Sequence, residues 1–68
     1  MPLTQIVTKN LKSTRLAKKL TQEALAERAS LSVSYISMLE RGQRSPPLDT
    51  LELLAKAFGV RPTALLEG

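Results

Sequence analysis

Hydrophobic positions recur along the chain at helical intervals and are broken by short polar stretches. From about Thr4 to Lys19, Leu11 lies with Ile6, Val7 and Leu16, and with Leu20 just beyond, while the lysines fall elsewhere on the surface. That spacing predicts one helix with a frayed start. Thr21 is a capping residue ahead of "QEALAERA", and Glu23 sits in the first turn, where the helix dipole favours an acid. "SLS" breaks this second helix, and Ser32 can cap a third over Val33–Arg41, with Gly42 as its stop. "QRSPP" is a connector, and "LDTLELLAKAF" is an amphipathic helix ended by Gly59. Pro62 suits the first position of a last short helix, "PTALLE". The expected fold class is all-α: a compact five-helix bundle with short connections, no internal repeat and no low-complexity tract.

The third helix has an unusual surface. In "LSVSYISMLERGQR", residues 31–44, a turn of ~100° per residue puts Ile36 and Leu39 together as a core stripe with Tyr35 on its flank. Val33, Ser34, Ser37, Met38 and Arg41 fall on the other side. That face is small, weakly polar and carries one charge, at its C-terminal end. A solvated face normally carries Lys and Glu, whereas a face that enters a groove and touches base edges needs compact side chains without carboxylates. A surface for a protein partner has the same features, so the pattern alone leaves both readings open.

Spacing narrows the choice. Counting from Gln22 as the first position to Arg41 as the twentieth, Ala26 is fifth, where a small side chain lets two helices approach. Ser30 is ninth, at the tight turn, and Leu25, Leu31, Ile36 and Leu39 bind the two helices into one unit. This is the helix-turn-helix pattern, formed by the second and third helices.

Composition limits the alternatives. Sixty-eight residues make one domain, 1–68, and a sequence that is 43% hydrophobic but 3% aromatic must build an aliphatic core. There is no Cys to form disulfides or thiolate metal sites, and no His, the commonest general base. No nucleophile–base pair, metal-ligand cluster or phosphate loop appears, so no catalytic residue, metal, cofactor or small-molecule ligand is expected. No apolar run is long enough to span a bilayer and no signal-peptide hydrophobic region follows Met1, so the expected address is the cytoplasm, at the nucleoid if DNA is the partner. The net charge of +4 is uneven: residues 1–47 hold eight Lys and Arg against three Glu, whereas residues 48–68 hold two cations against three acids. A basic excess confined to one part of a small domain suits an anionic partner such as nucleic acid, although a solubilising excess has the same sign.

The stretch "LTQEALAERASLSVSYISMLERGQRSPPLDTLELLAKAFGV" resembles the Cro and phage-repressor family, also called the XRE family. The likeness runs from about Leu11 to Leu66 and is carried by Thr21-Gln22-Glu23, Leu25-Ala26, Ile36-Ser37, Leu39-Glu40-Arg41-Gly42, Pro46, and Leu51 through Val60. "SYIS-x-LERG" also looks like restriction–modification controller proteins. The resemblance implies a lambda-repressor-like, five-helix DNA-binding domain, usually a homodimer on a palindromic double-stranded operator. Two departures are Ser30, where the family usually has Gly at the turn, and Arg61, where it prefers a Ser or Thr cap.

The resemblance also implies residue roles. Arg15 and Glu40 match a partly buried ion pair tying the first helix to the third. Gln22, Ser32, Tyr35, Arg41 and Gln43 match positions near DNA phosphates, and Val33, Ser34, Ser37 and Met38 match groove-facing positions, with Arg44 the phosphate-side residue best placed to touch a base. Tyr35 also reads as a core-edge residue, and Met38 as partner packing. Leu53, Leu65 and Leu66 are expected in a two-fold interface, since a short chain cannot easily bury every apolar residue of its last third. The expected function is a sequence-specific DNA-binding transcriptional regulator. The alternative is a protein-interaction module on the same scaffold, such as an antitoxin or partner-binding subunit.

Overall fold

A computed structural model describes residues 2–68. In it α1 spans Leu3–Ala17, α2 Gln22–Ala29, α3 Val33–Glu40 and α4 Leu48–Phe58, followed by a 3-10 helix over Pro62–Leu66. The fold is all-helical among the described residues, with four α-helices rather than five. The last element fails to become an α-helix for a simple reason. It has only five residues, Arg61 provides no side-chain cap, and the Ala64 N–H reaches back to the Arg61 carbonyl in an i to i+3 bond of 2.9 Å. Short 3-10 turns are the usual result.

On α1, Val7, Leu11 and Arg15 recur every fourth residue and all three are buried. The first two enter an aliphatic core with Leu25, Ala26, Ala29, Ile36, Leu39, Leu51, Leu54, Ala55, Phe58 and Leu65. α1 packs on α3 and the 3-10 helix, while α4 packs on α2 and the same 3-10 helix. Leu16 is not a core residue. It lies 56% exposed, because five residues beyond Leu11 the helix has carried it round to the solvent side. The side chain of Asn10, a poor helix former placed mid-helix, donates to the carbonyls of Leu65 (3.0 Å) and Glu67 (2.7 Å). This clamp holds the 3-10 helix against α1.

All four α-helices end in the same way. Lys19, Ser30, Gly42 and Gly59 take left-handed backbone angles, with φ of 58°, 58°, 75° and 75°. Each donates its N–H to a carbonyl three residues back, and the next residue donates five residues back, as in Leu31 N–H to Ala26 O at 2.9 Å. That pair of bonds satisfies carbonyls the helix leaves free. The residues that follow, Leu20, Leu31 and Val60, then pack against the core, so three of these turns also insert an apolar anchor. Lys19 explains why α1 stops at Ala17, two residues before the end the hydrophobic pattern predicts.

Glycine adopts left-handed angles without the Cβ clash that penalises other residues. Ser30→Gly is therefore expected to raise unfolding free energy by up to about 1 kcal/mol, and Lys19→Gly to change it in the same direction. Urea denaturation checks this: an unchanged midpoint for Ser30→Gly would mean that the turn imposes no strain on serine.

Candidate nucleic-acid interface

The α2–α3 unit is built from its caps inward. Thr21 Oγ1 accepts the Ala24 N–H at 3.0 Å and Ser32 Oγ accepts the Tyr35 N–H at 3.1 Å. These bonds start both helices at defined residues. Between them Ala26, 3% exposed, keeps the helices close, and Leu25, Ile36 and Leu39 are each 1% exposed. Burying Ile36 and Leu39 turns the opposite side of α3 outward.

Arg15 continues the buried stripe of α1 where an aliphatic residue would otherwise stand, so its charge needs a partner. Its Nε donates to Glu40 Oε2 at 2.7 Å and its Nη2 to Glu40 Oε1 at 3.1 Å, a two-pronged bond from α1 to the last residue of α3. Nη1 donates to the Leu20 carbonyl at 2.9 Å, tying in the α1–α2 connector. Gln22 Nε2 donates to Glu40 Oε1 at 3.2 Å, bringing in the first residue of α2. The side chains of Arg15 and Glu40 are 11% and 4% exposed, and among the described residues no buried side-chain nitrogen or oxygen lacks a partner. The hydrogen bond to Glu40 raises the Arg15 pKa. Burial opposes that rise, and the charges of Glu40 and Glu23 reinforce it. A cation whose folded pKa is raised stabilises the fold at every pH below its ordinary value, which for arginine is far above neutrality. The guanidinium therefore stays charged and paired throughout the working range.

Glu40 is the sole carboxylate of α3, and the pair turns it inward. The outer face that remains carries Val33 (38% exposed) and the exposed Ser34, with Ser37 and Met38 half-buried beside them. Arg41, Gln43 and Arg44 follow as exposed residues, and Ser32 is exposed at the N-terminal end. Tyr35 is half-buried and packs against the core edge. Two placements were not legible in the sequence. The Gln22 amide rests on Glu40, eighteen residues away, with nothing in the local pattern to announce it. Leu65 is a core residue at 1% exposure and has no surface to offer another chain; the 3-10 helix turns it inward between α1 and α4. Leu53 is 45% exposed and Leu66 is half-buried.

A helix-turn-helix family model matches residues 11–65. The chain belongs to the XRE-type helix-turn-helix family. This is a family of DNA-binding transcription regulators. Its relatives include control protein C.BamHI of Bacillus amyloliquefaciens, 46% identical over 54 residues that cover 78% of this chain and 67% of that one. The immunity repressor of Bacillus phage phi105 is 43% identical over 60 residues, 88% of this chain, and the matched part spans 42% of that repressor. Among solved structures, the restriction-modification controller protein C.AhdI from Aeromonas hydrophila matches with a TM-score of 0.85 and 38% identity, over 88% of this chain and 91% of that chain. Among the described residues no helix is long and apolar enough to cross a membrane.

Removing one member of a buried ion pair strands the other, at a cost of about 3–5 kcal/mol, whereas replacing both with apolar residues is often close to neutral. Arg15→Met should therefore destabilise this XRE-type domain strongly, and Arg15→Met/Glu40→Met much less. Chemical denaturation of the two variants is the check. Equal losses would mean that the pair's desolvation costs nothing.

Proposed function

We propose that the chain is a sequence-specific transcriptional regulator that lays α3 in the major groove of a palindromic double-stranded DNA operator and acts as a homodimer. Such a protein would work in the cytoplasm, at the nucleoid. The observation that carries the proposal is the outer face of α3: compact, free of carboxylates, and followed directly by exposed Arg41, Gln43 and Arg44. Its similarity to a phage repressor and to restriction–modification controllers supports the same reading.

In this arrangement Val33 or Met38 packs on a thymine methyl while Ser34 and Ser37 donate to or accept from base edges. Gln22, Ser32, Tyr35, Arg41 and Gln43 hold phosphates, and Arg44 is positioned to touch a base as well. A two-fold operator asks for a two-fold protein. Leu53 is proposed to lie in that interface with the edge of Leu66 and the exposed Pro62, Thr63 and Ala64. The competing reading is a protein-interaction module. It is favoured by the exposed apolar side chains of Val33 and Leu53 and opposed by the cations beside α3.

Affinity for operator and scrambled DNA across a salt series separates these readings. Arg41→Ala should weaken binding to all sequences by a similar factor and flatten the log–log salt dependence by about one unit. Val33→Ala or Ser34→Ala should leave that slope nearly unchanged and relax preference at one or two symmetric base pairs, by roughly 1–3 kcal/mol each. Wild-type discrimination in both variants would assign the face to a protein partner. For assembly, Leu53→Asp should convert a dimer to a monomer at micromolar concentration in sedimentation, since an unpaired carboxylate disfavours burial. An unchanged dimer would move the interface elsewhere.

A further inference from the structure

We infer that Gln22 is a positioning residue for α3 as well as a phosphate contact, acting through Glu40. This rests on the DNA-binding role proposed above and adds that the grip on the backbone and the placement of the reading helix share one side chain.

Gln22 is the first residue of α2, where the backbone N–H groups at the helix start face outward and the dipole favours an anion. Its side-chain amide has two hydrogens and an oxygen. One hydrogen is already engaged by Glu40 Oε1 at 3.2 Å. That oxygen also accepts from Arg15 Nη2 at 3.1 Å, so Gln22 completes a cluster joining α1, α2 and α3. The residue is half-buried, and its second amide hydrogen has no partner within the hydrogen bonds of the described residues. Glu40 is the last residue of α3, and Arg41 and Gly42 continue directly from it into the segment that carries Gln43 and Arg44. A side chain that holds Glu40 therefore fixes the end of α3 and the direction in which the following cations leave it. A phosphate docked at the start of α2 meets an amide whose orientation is set by the same carboxylate. Backbone contact and helix position are thus linked through one acceptor.

Two substitutions divide the roles. Gln22→Met keeps similar bulk and removes every donor. Gln22→Asn keeps an amide at the helix start but, one methylene shorter, cannot reach Glu40. Titrations of operator and scrambled DNA are carried out over a salt series, with chemical denaturation as a folding control. For Gln22→Met the expected result is a several-fold weaker affinity for operator and scrambled DNA alike, at a near wild-type salt slope because a neutral amide releases no counterion, together with a several-fold loss of operator discrimination. For Gln22→Asn it is a near wild-type affinity for scrambled DNA with the same loss of discrimination. A double-mutant cycle of Gln22→Asn with Arg41→Ala should be non-additive by at least about threefold in operator affinity, as for groups sharing one network. Wild-type discrimination in Gln22→Asn, or an additive cycle, overturns the inference and leaves the DNA-binding reading intact. A wild-type protein with no salt-dependent DNA affinity overturns both. If Gln22→Met does not fold, the asparagine variant and its cycle decide the matter.

Discussion

The buried contact between Arg15 and Glu40 sets the terms for the rest of the molecule. A carboxylate at 4% exposure is tolerable only with a matched cation and filled lone pairs. Here both oxygens are bonded, donors from α1 and α2 converge on them, and the guanidinium has a further acceptor in the Leu20 carbonyl of the connector. The pairing also has an electrostatic effect on the surface. The C-terminal end of a helix carries partial negative charge, and a free glutamate there would add to it. Folding Glu40 inward against Arg15 cancels that charge, so the cations that follow, Arg41 and Arg44, are not offset by their own helix.

A chain this short buries a modest share of its surface and depends on economical turns. The repeated left-handed helix ending supplies them. At each end two carbonyls are satisfied by the next residues' N–H groups, and at three ends the chain then drops a Leu or Val into the core. Only two of the four ends use glycine. Ser30 and Lys19 accept a backbone conformation unfavourable to them because the anchors after them, Leu31 and Leu20, are held in place by packing. The turn of the helix-turn-helix unit is thus kept by its apolar neighbour rather than by the residue at its apex.

Legibility in the sequence followed the strength of the local signal. α2, α3 and α4 were readable because Thr21, Ser32 and Gly59 mark their ends with side chains or conformations of known preference. The end of α1 was not, since a lysine in the left-handed region gives no compositional sign. The last segment reads as an α-helix in the sequence because a single turn has too few residues to show a period, and the same brevity hides which of Leu65 and Leu66 faces inward. For the candidate site, the outward set on α3 could be drawn from periodicity once Ile36 and Leu39 were assigned to the core. The Arg15–Glu40 geometry came from family resemblance rather than spacing. The Gln22–Glu40 bond could not come from either, because contact across eighteen residues is a product of tertiary packing.

The composition of the outer face constrains how such a protein reads DNA. Val33, Ser34, Ser37 and Met38 include no Arg, Asn or Gln, the residues that make two-pronged bonds to single bases. Serines bond either donor or acceptor and so discriminate weakly, whereas apolar contacts recognise the thymine methyl. Under the proposed role, sequence preference adds to the serine bonds three further sources: methyl contacts, the Arg44 guanidinium near the end of α3, and the cost of deforming the intervening duplex. Each source depends on where α3 sits to within a fraction of an ångström more than on the strength of any one bond. A reader of this kind is only as selective as its scaffold is stiff. That is the physical reason for anchoring the far end of α3 with an ion pair, an amide and a capped turn while the face itself carries small, adaptable side chains.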